Sequence, residues 1–161
     1  VLKNMSVHAL IGLGANLGQA RETIERALEA LNSTPSIQVS EVAPFYGSDP
    51  VDAQGPTFVN TVARIQTDLA PLALLEVLQA LERTHGRERS FRNAPRTLDL
   101  DLLWYEDIEM ETARLTLPHP RMHERAFVLK PLNDLMPEFV LKQGNIAQLL
   151  AQCCDQKLWP L

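Results

Sequence analysis

Apolar residues recur along this chain with two alternating periods. Residues 8–13 form a short apolar run of the kind that fills a buried strand, and residues 19–32 carry Ile24, Ala27, Leu28 and Leu31 at the spacing of one helical stripe. Strands are expected over 37–46 and 58–66, the first with Ile37, Val39 and Glu41 on one face. Pro71, tolerated in a first turn, opens a second helix. It keeps Leu74, Leu75, Leu78, Leu81 and Glu82 in register as far as residue 85, where Gly86 closes it. A strand over 98–105, a short hairpin over 108–117 and helices over 126–135 and 146–153 complete the pattern. The order predicts an α+β fold: a ferredoxin-like βαββαβ core with a mainly antiparallel sheet and additional C-terminal helices. No linker or repeat divides it, so residues 1–161 are expected to form a single domain, with residues 1–5 disordered or an extension ahead of Met5.

Composition narrows the function. With 161 residues, 45% of them hydrophobic, the chain is long enough for a full core. A net charge of −5 leaves no basic face for nucleic acid or an acidic membrane, and no apolar run approaches the length of a membrane span. The N-terminus lacks the layout of a signal peptide. Cys153 and Cys154 are adjacent and make no disulfide framework, which fits a cytoplasmic protein. Nothing in the sequence demands more than a monomer.

The chemistry concentrates in Arg96-Thr97-Leu98-Asp99-Leu100-Asp101-Leu102. In an extended backbone Asp99 and Asp101 point the same way, with Cα atoms roughly 6.5–7 Å apart, while Leu98, Leu100 and Leu102 face the core. Two like charges so placed repel each other unless a cation joins them, and two divalent ions about 3.5–4 Å apart fit between such carboxylates. The alternative is an ordinary solvated strand face. Arg87, Arg89 and Arg92 precede Arg96 in the loop 86–95, and guanidinium groups grip phosphate oxygens through paired donors. A second long loop, 47–57, has the composition of a lid. Gly12, Gly14 and Gly18 follow a strand and precede a helix, but the third glycine falls one residue too late for a dinucleotide fingerprint, and no Walker A sequence occurs. His119 and His123 have helical zinc spacing but no third ligand nearby. A phosphate contact suits His119 better, beside Arg114 and Thr116.

Together these residues resemble the 6-hydroxymethyl-7,8-dihydropterin pyrophosphokinase family of folate biosynthesis. The likeness runs through Gly14-Ala15-Asn16, Phe45-Tyr46, Phe58-Val59-Asn60, Glu82-Arg83, the Arg92-to-Leu103 signature, Arg114-Leu115-Thr116-Leu117-Pro118-His119 and Arg125-Ala126-Phe127. The resemblance implies that Asp99 and Asp101 hold two Mg²⁺ ions, with Arg87 and Arg96 as further catalytic groups. It implies an ATP site formed by Gln79, Glu82, Arg87, Arg89, Arg96, Leu102, Arg114, Thr116, His119 and Arg125. It implies a pterin site in which Asn60, with the backbone near Ser48 and Val51, reads the ring edge while Phe58 and Phe127 sandwich the ring. The chain departs from the family pattern at Asn93-Ala94, where a Trp-Gly pair is usual, and at Ser90, Pro120 and Phe58 in place of lysine, tyrosine and tyrosine. The implied reaction is attack of the pterin alcohol on the β-phosphorus of ATP, with AMP leaving. Rivals are another two-metal phosphoryl or nucleotidyl transferase, and a non-catalytic ligand- or RNA-binding domain. The second suits the acidic charge and paired aspartates poorly.

Overall fold

The computed structural model describes residues 6–16, 19–49, 57–86 and 98–161. Its elements follow in the order β1 (Val7–Ala15), α1 (Ala20–Asn32), β2 (Ile37–Val42), β3 (Tyr46–Ser48), β4 (Phe58–Thr67), α2 (Pro71–His85) and β5 (Asp99–Tyr105). Then come β6 (Met110–Glu111), β7 (Thr116–Leu117), a 3₁₀ turn (Met122–Glu124), α3 (Ala126–Leu135), β8 (Val140–Leu141), β9 (Gly144–Asn145), α4 (Ile146–Gln152) and β10 (Leu158–Pro160). The main sheet has the order β10-β3-β4-β1-β5, with β2 also on β4, and every pair is antiparallel. No helix among the described residues is long and apolar enough to cross a membrane.

Two apolar layers sandwich the sheet. Ile24, Ala27 and Leu31 of α1 and Leu74 and Leu78 of α2 pack on one face, against Ile11, Ile65, Leu98, Leu100 and Leu102. On the other face α3 and α4 bring Leu129, Leu132, Ile146 and Leu149 onto Leu10, Val62 and Leu103. A central strand buried on both sides must be apolar throughout, which is why the 8–13 run has no alternation.

The expected strand 37–46 is two strands. Pro44 has no N–H for the ladder, and the Thr61 hydroxyl takes over by donating to the Ala43 carbonyl at 2.9 Å. The expectation that Glu41 shares a face with Ile37 and Val39 is also corrected. The register shifts between Val39 and Glu41, so Val39 opposes Ile65 but Glu41 opposes Arg64. One extra residue, Ser40, turns the strand over, and Glu41 pairs with Arg64 on the far side. The short strands β8, β9 and β10 were not anticipated by the periodicity.

Tyr46 ties β3 to α3. Its hydroxyl donates to the Asp134 carboxylate, which Lys130 meets at 3.6 Å. Burial first, and then Asp134, push the Tyr46 phenol up to about 12. A phenol held above its unfolded value of about 10 stabilises the fold fully below that pH and loses the contribution as pH climbs toward the folded value. Tyr105, raised by burial and by Asp68, acts in the same sense. Urea midpoints are therefore expected to fall between about pH 10 and 12, and less steeply in Tyr46→Phe. Equal slopes in the two proteins would refute the assignment to Tyr46.

Candidate functional site

On β5 the alternation sends Leu98, Leu100 and Leu102 into the α1/α2 layer and leaves Asp99 and Asp101 half-buried on the opposite face. That face is continued across the sheet by register. Asp101, Gly12 and Val62 form one row; Asp99, Gly14 and Asn60 form the next. Past the register shift that leaves Leu103 unpaired, Leu103 and Leu10 carry full side chains and the surface is closed apolar core. Where β1 presents glycines instead, the core stops and a cavity of about 430 Å³ begins. A Cβ on Gly14 would lie 3.1 Å from Asn60 Oδ1, so the bare backbone is what lets the amide reach across the floor.

Around this floor the fold assembles Ser48, Phe58 and Asn60 from β3 and β4, Asp99 and Asp101 from β5, and Arg125 and Phe127 from the start of α3. Asn60 is buried and donates from Nδ2 to Ser48 Oγ at 2.8 Å, which fixes the carboxamide with Oδ1 over Gly14. The Arg125 guanidinium sits 5.7 Å from the Phe127 ring centroid and 4.0 Å from Asp101. An ion pair that long and that exposed is worth at most about 1 kcal/mol, so an incoming phosphate competes easily for the guanidinium.

The remaining predicted residues flank the cavity or lie apart from it. His119 is anchored beside β5, its N–H donating to the Leu103 carbonyl at 2.7 Å. Its Nδ1 accepts from the Arg121 N–H at 3.1 Å, which puts the ring proton on Nε2. Burial lowers the His119 pKa; Asp101 opposes this, and Arg125 and Arg121 reinforce it. The imidazole is therefore neutral at pH 7, a donor without charge. Glu82 accepts from the Leu100 N–H at 2.7 Å, locking α2 to β5. Gln79 is exposed on α2, Leu102 is buried in the α1/α2 layer, and Arg114 pairs with Glu76 at 3.5 Å. Thr116 is half-buried in β7. Val51, Arg87, Arg89 and Arg96 lie outside the described residues.

Sequence reasoning missed Gly12, Gly14, Arg121, Glu124 and Gln156, all of which line the cavity. The glycines did carry a signal, because residues two apart in a strand share a face. Gln156 carried none. Among the described residues no three or more of His, Cys, Asp and Glu gather as a metal cluster. Asp99 and Asp101 still suit a hard cation that takes only one or two protein carboxylates and completes its shell with phosphate and water.

Comparison with known proteins places the chain in a family. The profile of the 7,8-dihydro-6-hydroxymethylpterin-pyrophosphokinase (HPPK) family matches residues 10–137. The 2-amino-4-hydroxy-6-hydroxymethyldihydropteridine pyrophosphokinase of Pseudomonas aeruginosa is 47% identical over 145 residues, spanning 89% of this chain and 90% of that one. Its Haemophilus influenzae counterpart is 40% identical over 154 residues, spanning 94% and 96%. Among solved structures, the Plasmodium falciparum HPPK-DHPS triple mutant with SDX-DHP superposes with a TM-score of 0.73 at 16% identity, a likeness of fold alone. That match covers 91% of this chain but 44% of the larger protein.

Proposed function

This chain belongs to the 7,8-dihydro-6-hydroxymethylpterin-pyrophosphokinase family, and from that premise we propose how its own residues carry out the family's reaction. Pyrophosphate passes from ATP to the hydroxymethyl group of 6-hydroxymethyl-7,8-dihydropterin, and AMP is released, as a step of tetrahydrofolate biosynthesis. The observation that carries the residue assignment is the bare glycine floor, with a hydrogen-bonded Asn60 on one side and the Asp99/Asp101 pair on the other.

The flat ring lies over Gly14 between Phe58 and Phe127, whose faces favour offset stacking. Asn60 reads its edge: one N–H is committed to Ser48, leaving the other N–H and Oδ1 for the ring. The backbone near Ser48 and Val51 completes that edge. The ring's hydroxymethyl arm then points across β1 toward Asp99 and Asp101. These two carboxylates would hold two Mg²⁺ ions, which when bound neutralise phosphate oxygens and acidify the pterin alcohol. Arg125 leaves its weak pairing with Asp101 to meet the phosphates, and His119 donates from Nε2. Arg87, Arg89 and Arg96 supply the remaining positive charge, with Arg87 and Arg96 assigned as further catalytic groups. Gln79, Glu82, Arg114 and Thr116 are assigned to the nucleotide side, and Leu102, its side chain buried, would join them only through the backbone of edge strand β5. Negative charge develops on the transferred oxygens, and prepositioned donors stabilise it without reorganising.

The strand order β5-β1-β4 with β2 and β3 both beyond β4 supports a ferredoxin-like βαββαβ core in which the second strand is split. Residues 1–161 are taken as one domain acting as a monomer in the cytoplasm, without nucleic-acid or membrane partners. The test is nucleotide product identity. Incubation with ATP, Mg²⁺ and the pterin should yield AMP only when the pterin is present; ADP, free pyrophosphate or no reaction would overturn this reading.

A further inference from the structure

Gln156 lies on the turn between α4 and β10, and its side chain lines the cavity. Its carboxamide makes a two-point clamp at the start of α3. Nε2 donates to the Glu124 carbonyl at 2.8 Å, and Oε1 accepts from the Ala126 N–H at 2.9 Å. The backbone so gripped carries Arg125 and leads directly into Phe127.

The first N–H groups of a helix have no partner within it, and the N-cap side chain ordinarily accepts from one of them. The N-cap of α3 is Arg125, whose side chain makes no such bond and lies instead 4.0 Å from Asp101. An arginine has only donors and cannot cap a helix N-terminus. The acceptor therefore comes from a residue 30 positions away in sequence. Beyond Gln156 the same segment continues as β10, where Leu158 pairs with Ser48. Trp159 lies so close to Gly47 that a Cβ there would sit 2.3 Å from the indole Nε1. One stretch of chain thus fixes both walls of the cavity, Ser48 through the ladder and Arg125 with Phe127 through the clamp.

We propose that Gln156 is a positioning residue for the pterin subsite, capping α3 from outside so that Arg125 is free to face Asp101 while Phe127 is held against the ring. This rests on the assignment of Phe127 as a ring contact, and the experiment separates the two. Gln156→Met keeps the volume and removes both hydrogen-bonding ends. Steady-state kinetics on Gln156→Met, Phe127→Ala and the double variant, with melting temperatures, form the comparison. Gln156→Met should raise the KM for the pterin roughly tenfold with kcat within about threefold, the split expected when capture is lost but chemistry is not. The double variant should be little worse than Phe127→Ala alone, because residues that act through one another are not additive. A pterin KM within about twofold of wild type in Gln156→Met, or full additivity, would overturn the proposal and leave the ring contact standing. An unchanged KM in Phe127→Ala would overturn both. Should Gln156→Met prove too unstable to purify, Gln156→Asn, which shortens the clamp by one methylene, carries the same comparison.

Discussion

Asp99→Ala is expected to lower kcat by about 10³-fold or more while ATP binding survives in part, a loss of the size seen when charge stabilisation at the reacting centre is removed. Asp99 and Asp101 are the paired carboxylates that β5 turns toward the cavity, so the substitution removes one of the two hard ligands proposed for the cations. The fold should tolerate it, because Asp99 is only half-buried while Leu100, Leu102 and Leu103 anchor β5 in the two cores. Nucleotide affinity falls less than turnover, since the proposed guanidinium contacts remain. Asp99→Asn, which keeps the shape and loses the charge, should be nearly as impaired. AMP release together with calorimetric titration of MgATP checks both halves, and near-normal turnover in Asp99→Ala would remove the metal assignment.

Gly14→Val should separate stability from activity. Strand interiors favour valine over glycine by up to about 1 kcal/mol, which offsets part of the cost of pushing the buried, hydrogen-bonded Asn60 aside, so the unfolding midpoint should fall far less than the activity. The first carbon of the new side chain would already lie 3.1 Å from Asn60 Oδ1, and its two methyls would stand on the floor where the ring must lie. kcat/KM for the pterin should drop by about 100-fold or more, because small displacements of a positioned substrate are amplified in rate. Gly12→Ala is the control: its Cβ would make an ordinary contact with Leu103 Cδ1 at 3.4 Å, and a milder effect is expected. A Gly14→Val enzyme of near wild-type activity would mean that the ring binds elsewhere.

The difference between Asp99/Asp101 and Gly12/Gly14 explains what was legible in the sequence. Both pairs use the same rule, that residues two apart in a strand share a face, and in the fold they lie side by side. The aspartates announced themselves because like charges at that spacing need a reason. The glycines were compared with nucleotide loops instead, since an absent side chain has no chemistry to read until its neighbours across the ladder are known. The helices were legible from their stripes, and α2 and α3 have the expected limits. The bulge at Ser40 and the break at Pro44 were not, because the polar run in β2 is equally compatible with either face once Val39 has been placed. β10 and Gln156 had no local signal: a three-residue strand and a lone glutamine acquire meaning only from partners that the chain reaches after turning back on itself.

The floor of the cavity is also part of a central strand of the main sheet. Gly12 and Gly14 lie in β1, paired along its length to β4 on one edge and from Ala9 to Gly14 to β5 on the other. Breathing motions that fray a terminus or an edge strand leave such a segment closed; its amides open only when the whole sheet comes apart. The surface proposed to meet the substrate therefore shares the lifetime of the fold itself. Whatever stabilises the bound state guards the entire protein against unfolding, and cellular substrate levels become a term in how long each copy of the enzyme survives.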